Sequence, residues 1–202
     1  MFNFKFSISS AILCLIFFTA SASVYAGANN AGVNAQTLSN AETESVLFMR
    51  EEEKMARDVY LTLYDLWNDQ VFLNIYNSEQ KHMDAVKQLL DKYGLKDPAI
   101  GGVGLFSNPD LQTLYDELIE RGEKSAMEAF YVGALIEEVD IRDIQVAIDE
   151  ASHSDIINVY ENLLKGSRNH LQAFVGKIEA KGVDYKAQVL TQEEVDEIMA
   201  QQ

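Results

Sequence analysis

Residues 72–93 of the chain read FLNIYNSEQKHMDAVKQLLDKY, and the apolar side chains in this stretch recur every three or four positions. Such spacing indicates one face of an α-helix that packs against other helices. The face contains Phe72, Ile75, Glu79, His82, Val86, Leu89 and Tyr93. Because an acid and an imidazole one turn apart interrupt this apolar stripe, the pattern predicts that Glu79 and His82, an E-x-x-H pair, point into the core.

Three other segments show the same period, and polar residues interrupt their stripes as well. The interruptions are Glu53 in the first long helix, Glu137 and Asp140 in the third, and Ser167 with His170 in the fourth. The core-facing stripe of a bundle helix is normally apolar, since it is the face that the helix buries. The acids therefore occupy positions where a carboxylate needs a specific partner.

Helix start and stop signals predict the first pair of long helices. A capping box that begins at Ser39 opens the first helix, which ends at about Trp67. The second helix runs from about Val71 to Tyr93, because Gly94 after it favours a left-handed C-terminal residue. The link between the two helices is short, so we expect antiparallel neighbours.

The second pair of long helices follows the same rules. A capping box at Ser125 opens the third helix, which ends at about Ala151. Ser154 or Asp155 caps the fourth, which ends at about Lys181. This link is also short, and the pair is again predicted to be antiparallel.

Two short helices complete the prediction. One begins at Asn108 and Pro109, ends near Gly122, and lies in a glycine-rich crossover of roughly thirty residues between the two pairs. The other is terminal and opens at Thr191 with Glu194 at capping-box spacing. The predicted fold is all-α: a four-helix bundle whose crossover spans the length of the bundle.

The composition of the 202-residue chain is typical of a soluble globular protein, with 48% hydrophobic and 24% charged residues. A formal net charge of −16 at pH 7 argues against nucleic acids and anionic membrane surfaces as partners, because most of the surface repels them. Cations are the favoured partners. The sequence leaves the oligomeric state open, and a homodimer is one alternative.

The first residues are predicted to be a signal peptide, residues 1–26. Lys5 precedes an apolar stretch over residues 8–20, and the cleavage site is VYA at residues 24–26. A membrane anchor is the competing interpretation, but the apolar run is short for a span of about 20 residues. The prediction is a secreted or periplasmic protein with no stable membrane span after cleavage.

The mature chain is predicted to contain a flexible lead-in over residues 27–40 and one domain over residues 41–202. Cys14, the single cysteine, lies in the signal peptide, and Leu13 before it is too large for the usual lipidation signal. Without thiolates, any metal site in the mature chain uses carboxylates and imidazoles.

The buried acids predict a pair of metal ions. An unpaired buried carboxylate costs several kcal/mol, and Lys and Arg are nearly absent from the four stripes. The predicted ligands are Glu53, Glu79, His82, Glu137, Asp140 and His170. Oxygen and imidazole ligands suit iron, with manganese as the alternative.

The alternative is a bundle without metal whose buried acids pair with Arg57, Arg142 or Arg168. An isolated E-x-x-H occurs often by chance, and a lone histidine is more often hydrogen-bonded than a ligand. The occurrence of interruptions on all four stripes favours the metal.

The same helical period predicts the exposure of the residues that neighbour the predicted ligands. Glu51, Glu52 and Glu138 flank the ligands and are predicted to face solvent. Tyr60 and Tyr160 lie on the stripes, where each acts either as a hydrogen-bond donor to a ligand or as plain packing.

Four segments in order resemble the DUF2202 family, an uncharacterised branch of the ferritin-like superfamily. They are LFMREEEKMARDVYLTLYDLW, SEQKHMDAV, GALIEEVDIRDI and GSRNHLQAF, within about residues 43–178. More distantly, EKMARDVY is similar to the first-helix ligand segment of rubrerythrins. That similarity aligns the rubrerythrin ligands with Glu53, with Glu79 and His82, and with Glu137 and Asp140.

One departure from the ferritin-like pattern is Ser167, where these proteins usually carry a glutamate three residues before the fourth-helix histidine. Asp140 on the facing helix is the candidate replacement. The chain also lacks the cysteine pairs of a rubredoxin module, so no built-in electron-transfer domain is expected.

The resemblance implies a di-iron or iron–manganese site that reacts with oxygen or peroxide, as a ferroxidase or a peroxidase-like enzyme. Two alternatives from other classes stay open: a non-catalytic metal-binding or metal-sensing protein, and a structural interaction bundle that binds no metal. The sequence does not decide between an enzyme and a binding protein.

Overall fold

The computed structural model describes residues 37–201, and every regular element in this range is a helix. The elements are α1 (Asn40–Trp67), α2 (Gln70–Tyr93), α3 (Pro109–Gly122), α4 (Ala126–Glu150), α5 (Ser154–Glu179) and α6 (Gln192–Met199). The all-α prediction and the order of four long and two short helices are confirmed. The predicted signal peptide and most of the predicted lead-in lie outside the described residues.

Several predicted caps are confirmed in detail. Ser39 opens α1 in a reciprocal capping box with Glu42, and Thr191 opens α6 with Glu194 in the same way. At the end of α2, Gly94 takes the left-handed conformation with φ 66°, which costs glycine little.

Two caps differ from the prediction because side chains find other partners. Ser125 accepts from the Glu128 backbone N–H, but the Glu128 carboxylate accepts from Arg121 and does not complete a box. His153 is the N-cap of α5 and makes no side-chain capping bond, so the predicted cap at Ser154 or Asp155 is wrong. Asp155 instead accepts from the side chains at the end of α2.

The four long helices pack as antiparallel neighbours around one core. The start of α1 meets the end of α4, since the Glu42 carboxylate accepts from the Ser152 N–H. The end of α2 meets the start of α5 through Lys92 and Asp155. Both α2 and α4 therefore end at the same end of the bundle, and the crossover between them must run the length of the bundle.

The crossover covers the outer side of α1. Glu51 accepts from the backbone N–H groups of Ser107 and Asn108, and α3 packs on α1 and α4. The Lys54 ammonium is buried and donates to the backbone oxygens of Gly102 and Leu105. The prediction that Glu51 faces solvent is wrong, because the crossover takes the place of water there.

The C-terminal segment covers α4 in a similar way. Glu138 is fully buried, and its carboxylate accepts from three successive backbone N–H groups, those of Gln188, Val189 and Leu190. The Tyr185 hydroxyl donates to it as well. The predicted exposure of Glu138 is therefore wrong too. Within the described residues, none of the helices has the length and apolar character to cross a membrane.

Candidate metal centre

Five of the six predicted ligands form two clusters in the core of the bundle, and the sixth, Asp140, belongs to neither cluster. One hairpin, α1 with α2, supplies Glu53, Glu79 and His82, and the other, α4 with α5, supplies Glu137, Asp140 and His170. All are buried except His82, whose side chain is 11% exposed. The helical period therefore predicted correctly which way these side chains point.

The first cluster joins α1 to α2. Nδ1 of His82 lies 3.2 Å from Oε2 of Glu53 and 2.7 Å from Oε2 of Glu79. One ligand atom from each of these three residues lies within 4.8 Å of the others. This spacing is small enough for a single metal ion to contact all three residues. We call Glu53, Glu79 and His82 the first triad.

The second cluster joins α2 to the other hairpin. Nδ1 of His170 lies 2.8 Å from Oε1 of Glu79 and 3.4 Å from Oε2 of Glu137. These residues also satisfy the 4.8 Å limit, and we call Glu79, Glu137 and His170 the second triad. Glu79 belongs to both triads and presents a different oxygen to each, which is the arrangement of a carboxylate that bridges two ions.

Neighbouring groups hold the candidate ligands in place. The Tyr60 hydroxyl donates to Oε1 of Glu137 at 2.5 Å, so of the two roles left open for Tyr60, the hydrogen bond to a candidate ligand is present. Nε2 of His170 is 2.9 Å from the Ser78 hydroxyl. Tyr160 is hydrogen-bonded to Ser45 and to none of the candidate ligands. Such outer contacts orient metal ligands in known sites.

Several buried polar atoms of the centre lack a hydrogen-bond partner. They are Oε1 of Glu53 and both carboxylate oxygens of Asp140. The two oxygens of Glu79 contact the imidazoles of His82 and His170 in ion pairs. Nearly all buried polar groups in native proteins are paired, so a group of unpaired ones at one point requires an explanation. A metal ion bound by these atoms supplies one.

The electrostatics show how poorly the metal-free centre tolerates its charges. Burial raises the pKa of Glu53 to about 8, against the opposing effect of His82. Burial also raises the pKa of Glu137. Although burial alone would lower the pKa of each histidine, the facing carboxylates raise it to about 11 for His82 and about 10 for His170. Protons held on the imidazoles are thus the countercharge when no metal is bound.

The arginines of the metal-free alternative do not pair with either triad among the described residues. Arg57 donates to Asp58 and Gln80, and Arg142 donates to Asp143. Arg168 lines a surface cavity, and its Nε has no hydrogen-bond partner. The countercharge of the triads therefore does not come from these side chains.

Three more residues of the stripes and their flanks lie in the core. Asp140 is buried but belongs to neither triad. Ser167 is buried and donates to the Leu163 carbonyl of its own helix, so it does not stand in for the usual glutamate. Glu52, predicted to face solvent, is 2% exposed, so that prediction is wrong. Burial and the neighbouring Asp143 raise the pKa of Glu52.

Sequence reasoning missed Gly166 and Ser78. A Cβ added at Gly166 would lie 2.5 Å from Nε2 of His82, so only glycine leaves room for that imidazole. A glycine inside a helix usually has a packing reason, so the sequence does indicate a close contact at Gly166. Ser78 precedes Glu79 directly, but no pattern shows that a serine on a helix bonds to a histidine of another helix.

Comparison with known proteins gives a family and a relative with a solved structure. The model of the family described as an uncharacterized protein domain (DUF2202) matches residues 42–202. The chain is 51% identical over 166 residues to the uncharacterized protein MJ0754 of Methanocaldococcus jannaschii, and the match covers 82% of this chain and 90% of that protein.

The solved structure is similar in fold as well as in sequence. It is a crystal structure of the hypothetical protein MJ0754 from Methanococcus jannaschii, with a TM-score of 0.81 and 48% identity. The match covers 85% of this chain and 99% of that chain. The described helices thus correspond to nearly the whole of the solved chain.

Proposed function

Since the chain belongs to the DUF2202 family, an uncharacterised protein domain, we propose its function from the candidate metal centre itself. The protein is an exported, ferritin-like bundle that binds two metal ions, iron or manganese, and reacts with oxygen or peroxide. The ferroxidase and peroxidase-like activities are the two forms of this chemistry. The proposed ligands are the five residues of the two triads together with Asp140, which belongs to neither triad.

The observation that carries the proposal is the position of Glu79 between the two triads. Its two oxygens face two different histidines, at 2.7 and 2.8 Å. A hydrogen-bonded carboxylate in a metal-free core would have no need of a third and fourth acid around the same point. A bridging carboxylate needs them, because each ion requires further ligands.

The charges support two divalent ions. Glu53, Glu79, Glu137 and Asp140 bring four negative charges when ionised, and two divalent ions bring four positive ones. Neutral imidazoles of His82 and His170 then complete the ligand sets. The donor set, oxygen with nitrogen and no sulfur, matches the preferences of iron and manganese.

The chain's own residues perform the positioning. Tyr60 fixes the rotamer of Glu137, and Ser78 fixes the ring of His170 through Nε2. The burial of both triads excludes bulk water, while the partly exposed edge of His82 is the most accessible part of the centre. When bound, redox-active ions at this position supply electrons for the reduction of oxygen or peroxide.

The topology supports the ferritin-like assignment. Ferritin-like bundles join two antiparallel helix pairs by one long crossover and build their metal site from all four helices. This chain has the same arrangement, with three candidate ligands on each hairpin. The departure at Ser167 removes one carboxylate, and Asp140 restores the number of acids.

A specific observation favours a second candidate, a structural bundle that binds no metal. Each histidine lies close to two carboxylates, and protonated imidazoles partly neutralise the centre. In that case the two carboxylate oxygens of Asp140 stay buried without a partner, at a cost in folding free energy that no interaction offsets. Metal binding separates the two candidates.

The test is elemental analysis of protein purified without a chelating tag and loaded with ferrous iron or manganese. We expect about two ions per chain in the wild type, about one in Glu53→Gln, and almost none in Glu79→Gln, because only Glu79 serves both triads. Glu161→Gln, a charge removal on the exposed face of α5, is the control and should keep two. Less than about half an ion per wild-type chain contradicts the proposal.

Turnover and export need separate measurements. An oxygen or peroxide electrode should record consumption by the iron-loaded wild type that is lost in Glu79→Gln and kept in Glu161→Gln. If all three proteins consume oxygen or peroxide equally, the metal centre does not catalyse the reaction, and the protein only binds metal. N-terminal sequencing of the mature protein should give Gly27 as its first residue, and an intact Met1 contradicts export.

A further inference from the structure

A surface cavity lies where α4 meets α5 and the C-terminal segment. Its volume is about 370 Å³, which is near the lower end of the range for small-molecule pockets. The α4 helix contributes Ile141, Arg142 and Val146 to its lining, and α5 contributes Arg168. None of the candidate metal ligands lines it. The cavity is therefore separate from the candidate metal centre.

Two contacts fix the walls of this cavity. The Glu138 carboxylate accepts from the backbone N–H of Leu190, which lines the cavity just before α6. Nε2 of Gln172 on α5 donates to the carbonyl of Ile198 on α6 at 2.6 Å, and Ile198 is another lining residue. Because its walls are held in this way, the cavity exists before a ligand binds, and less conformational freedom is lost on binding.

Arg168 is a cation of this cavity that lacks a partner. Its Nε is buried and has no hydrogen-bond acceptor, and Arg168 forms no ion pair within the described part of the chain. The chain has 32 acidic residues and 16 Lys and Arg, so the missing partner does not reflect a shortage of acids. A buried donor without an acceptor destabilises the fold. An acceptor bound in the cavity removes this cost.

A second guanidinium lines the same cavity. Nε of Arg142 donates to Oδ1 of Asp143 at 2.7 Å, which uses one of the five N–H groups of that guanidinium. The Arg142 side chain is 30% exposed. Two arginines thus bring positive charge to one cavity of a strongly acidic chain, and this charge favours an anionic ligand.

Two acids limit the charge of that anion. Glu194 and Glu197 on α6 also line the cavity, and both are exposed. Glu194 already accepts from the backbone N–H and the hydroxyl of Thr191 in its capping box. Because these carboxylates repel a doubly charged phosphate more strongly than a singly charged carboxylate, the lining favours a monoanion.

Much of the remaining lining is apolar. Ile141 and Ile198 are 6% and 5% exposed, and Val146 and Leu190 line the cavity with them. Apolar walls next to a guanidinium suit a ligand that has a hydrocarbon body and one charged end, because the body leaves water while the charge finds a partner.

We propose that the cavity binds a small organic acid, whose carboxylate pairs with Arg168 and whose hydrocarbon chain contacts the apolar walls. The carboxylate accepts from Nε and from one terminal nitrogen of the same guanidinium, the parallel pair of donors that arginine presents to a carboxylate. Arg142 adds a second positive charge. The site does not depend on the proposed function, because the candidate metal ligands lie elsewhere.

Calorimetric titration of the purified full chain with sodium hexanoate tests this site. We expect one saturable site with a Kd of about 1 mM or below. The affinity should fall about fourfold for each CH₂ removed, in pentanoate and then in butanoate. Hexanol lacks the charge and inorganic phosphate lacks the hydrocarbon chain, so both should bind more weakly. No saturation by about 10 mM hexanoate, or an equal affinity for phosphate, overturns the proposal.

Variants of Arg168 locate the ligand in the cavity. Arg168→Gln should lower the affinity for hexanoate about tenfold or more. Arg168→Lys keeps the charge but not the planar pair of donors, so its affinity should lie between those of the wild type and Arg168→Gln. Lys165→Gln removes an exposed positive charge from the same helix and is the control that should keep the wild-type affinity. If Arg168→Gln does not fold, Arg168→Lys carries the test. Equal affinities in the Arg168 variants and the control overturn the proposal.

Glu79→Gln separates this cavity from the candidate metal centre, where a carboxylate is able to bind to a metal ion. We expect Glu79→Gln to keep the wild-type affinity for hexanoate, whatever its metal content. Binding that is lost in Glu79→Gln and kept in Arg168→Gln places the ligand at the metal centre and overturns the proposal. A chain that binds hexanoate but no metal contradicts the proposed function and supports the cavity site.

Discussion

The imidazole of His82 on α2 lies directly against Gly166 on α5. A Cβ added at Gly166 would lie 2.5 Å from Nε2 and 2.6 Å from Cε1 of that ring, and 3.9 Å from Cε1 of His170. The backbone of α5 at Gly166 therefore restricts the His82 ring to its position in the first triad. The His82 and His170 rings stack, with 5.6 Å between their centroids. The position of this candidate ligand depends on the absence of a methyl group at residue 166.

Gly166→Ala should displace His82 from the first triad while the fold persists. The added methyl group overlaps the ring, but alanine favours the helix by about 1 kcal/mol over glycine. We expect loss of about one metal ion per chain, measured by elemental analysis. Gly176→Ala, on the same helix with nothing within 4 Å of the added Cβ, is the control and should bind the full amount. Equal metal content in both variants contradicts the role of Gly166.

Tyr60→Phe should weaken metal binding without removing a ligand. The change deletes the hydroxyl that donates to Oε1 of Glu137 and leaves that buried oxygen unpaired. We expect a loss of about 10- to 100-fold in metal affinity, measured by competition with a chelator. Tyr160→Phe deletes a hydroxyl bonded to Ser45 instead, and its affinity should match the wild type. An equal loss in both variants points to packing and not to Glu137.

Glu138→Gln should release the C-terminal segment from the bundle. Its carboxylate accepts from three backbone N–H groups and from Tyr185, and a carboxamide has only one oxygen to offer. We expect a stability loss of about 1–3 kcal/mol in chemical denaturation and faster proteolysis between residues 185 and 191. Glu161→Gln should change neither. Unchanged proteolysis of the first variant shows that α6 holds the segment by itself.

The stability of the metal-free protein should fall as the pH rises from about 6.5 to about 11. The pKa values of His82 and His170 are raised above 6.5 in the folded state, so their stabilising contribution is complete below that pH and is lost as the pH rises through the folded values. The raised pKa of Glu53 acts in the same direction. Denaturant midpoints measured at several pH values give the change in the free energy of unfolding with pH.

Metal binding should reverse this pH dependence. A bound ion requires neutral imidazoles, so loading the protein releases protons and the affinity rises with pH. Calorimetry in two buffers of different ionisation enthalpy counts the protons. Loading without proton release would mean that the ions avoid both histidines.

The helical period predicted most of the centre because burial of one face is a local property of a helix. The stripe positions of Glu53, Glu79 and Glu137 required only the spacing of apolar residues along the same helix. The same reasoning failed for Glu51 and Glu138. These residues lie outside the stripes, and the crossover and the C-terminal segment, which have no clear period, cover them.

The position of Asp140 and the cap of α5 could not be predicted from the sequence, because each depends on how two helices pack. The depth of Asp140 was predicted, but its position beside the triads depends on how α4 rotates against α1. The cap of α5 was mispredicted because Asp155 is drawn to Lys92 on another helix. Local sequence propensity predicts where a helix begins and ends. Contacts with other helices decide which side chain remains available to cap it.

The division of the candidate ligands between the two hairpins determines how a metal-loaded chain would unfold. Neither hairpin alone contains the second triad, so separating the hairpins must break bonds between metal and protein. Slow amide hydrogen exchange should therefore extend over all four long helices with a single opening rate once metal is bound. In the metal-free chain we expect the amides of each hairpin to exchange at their own rate. Bound metal would therefore couple the unfolding of the two hairpins.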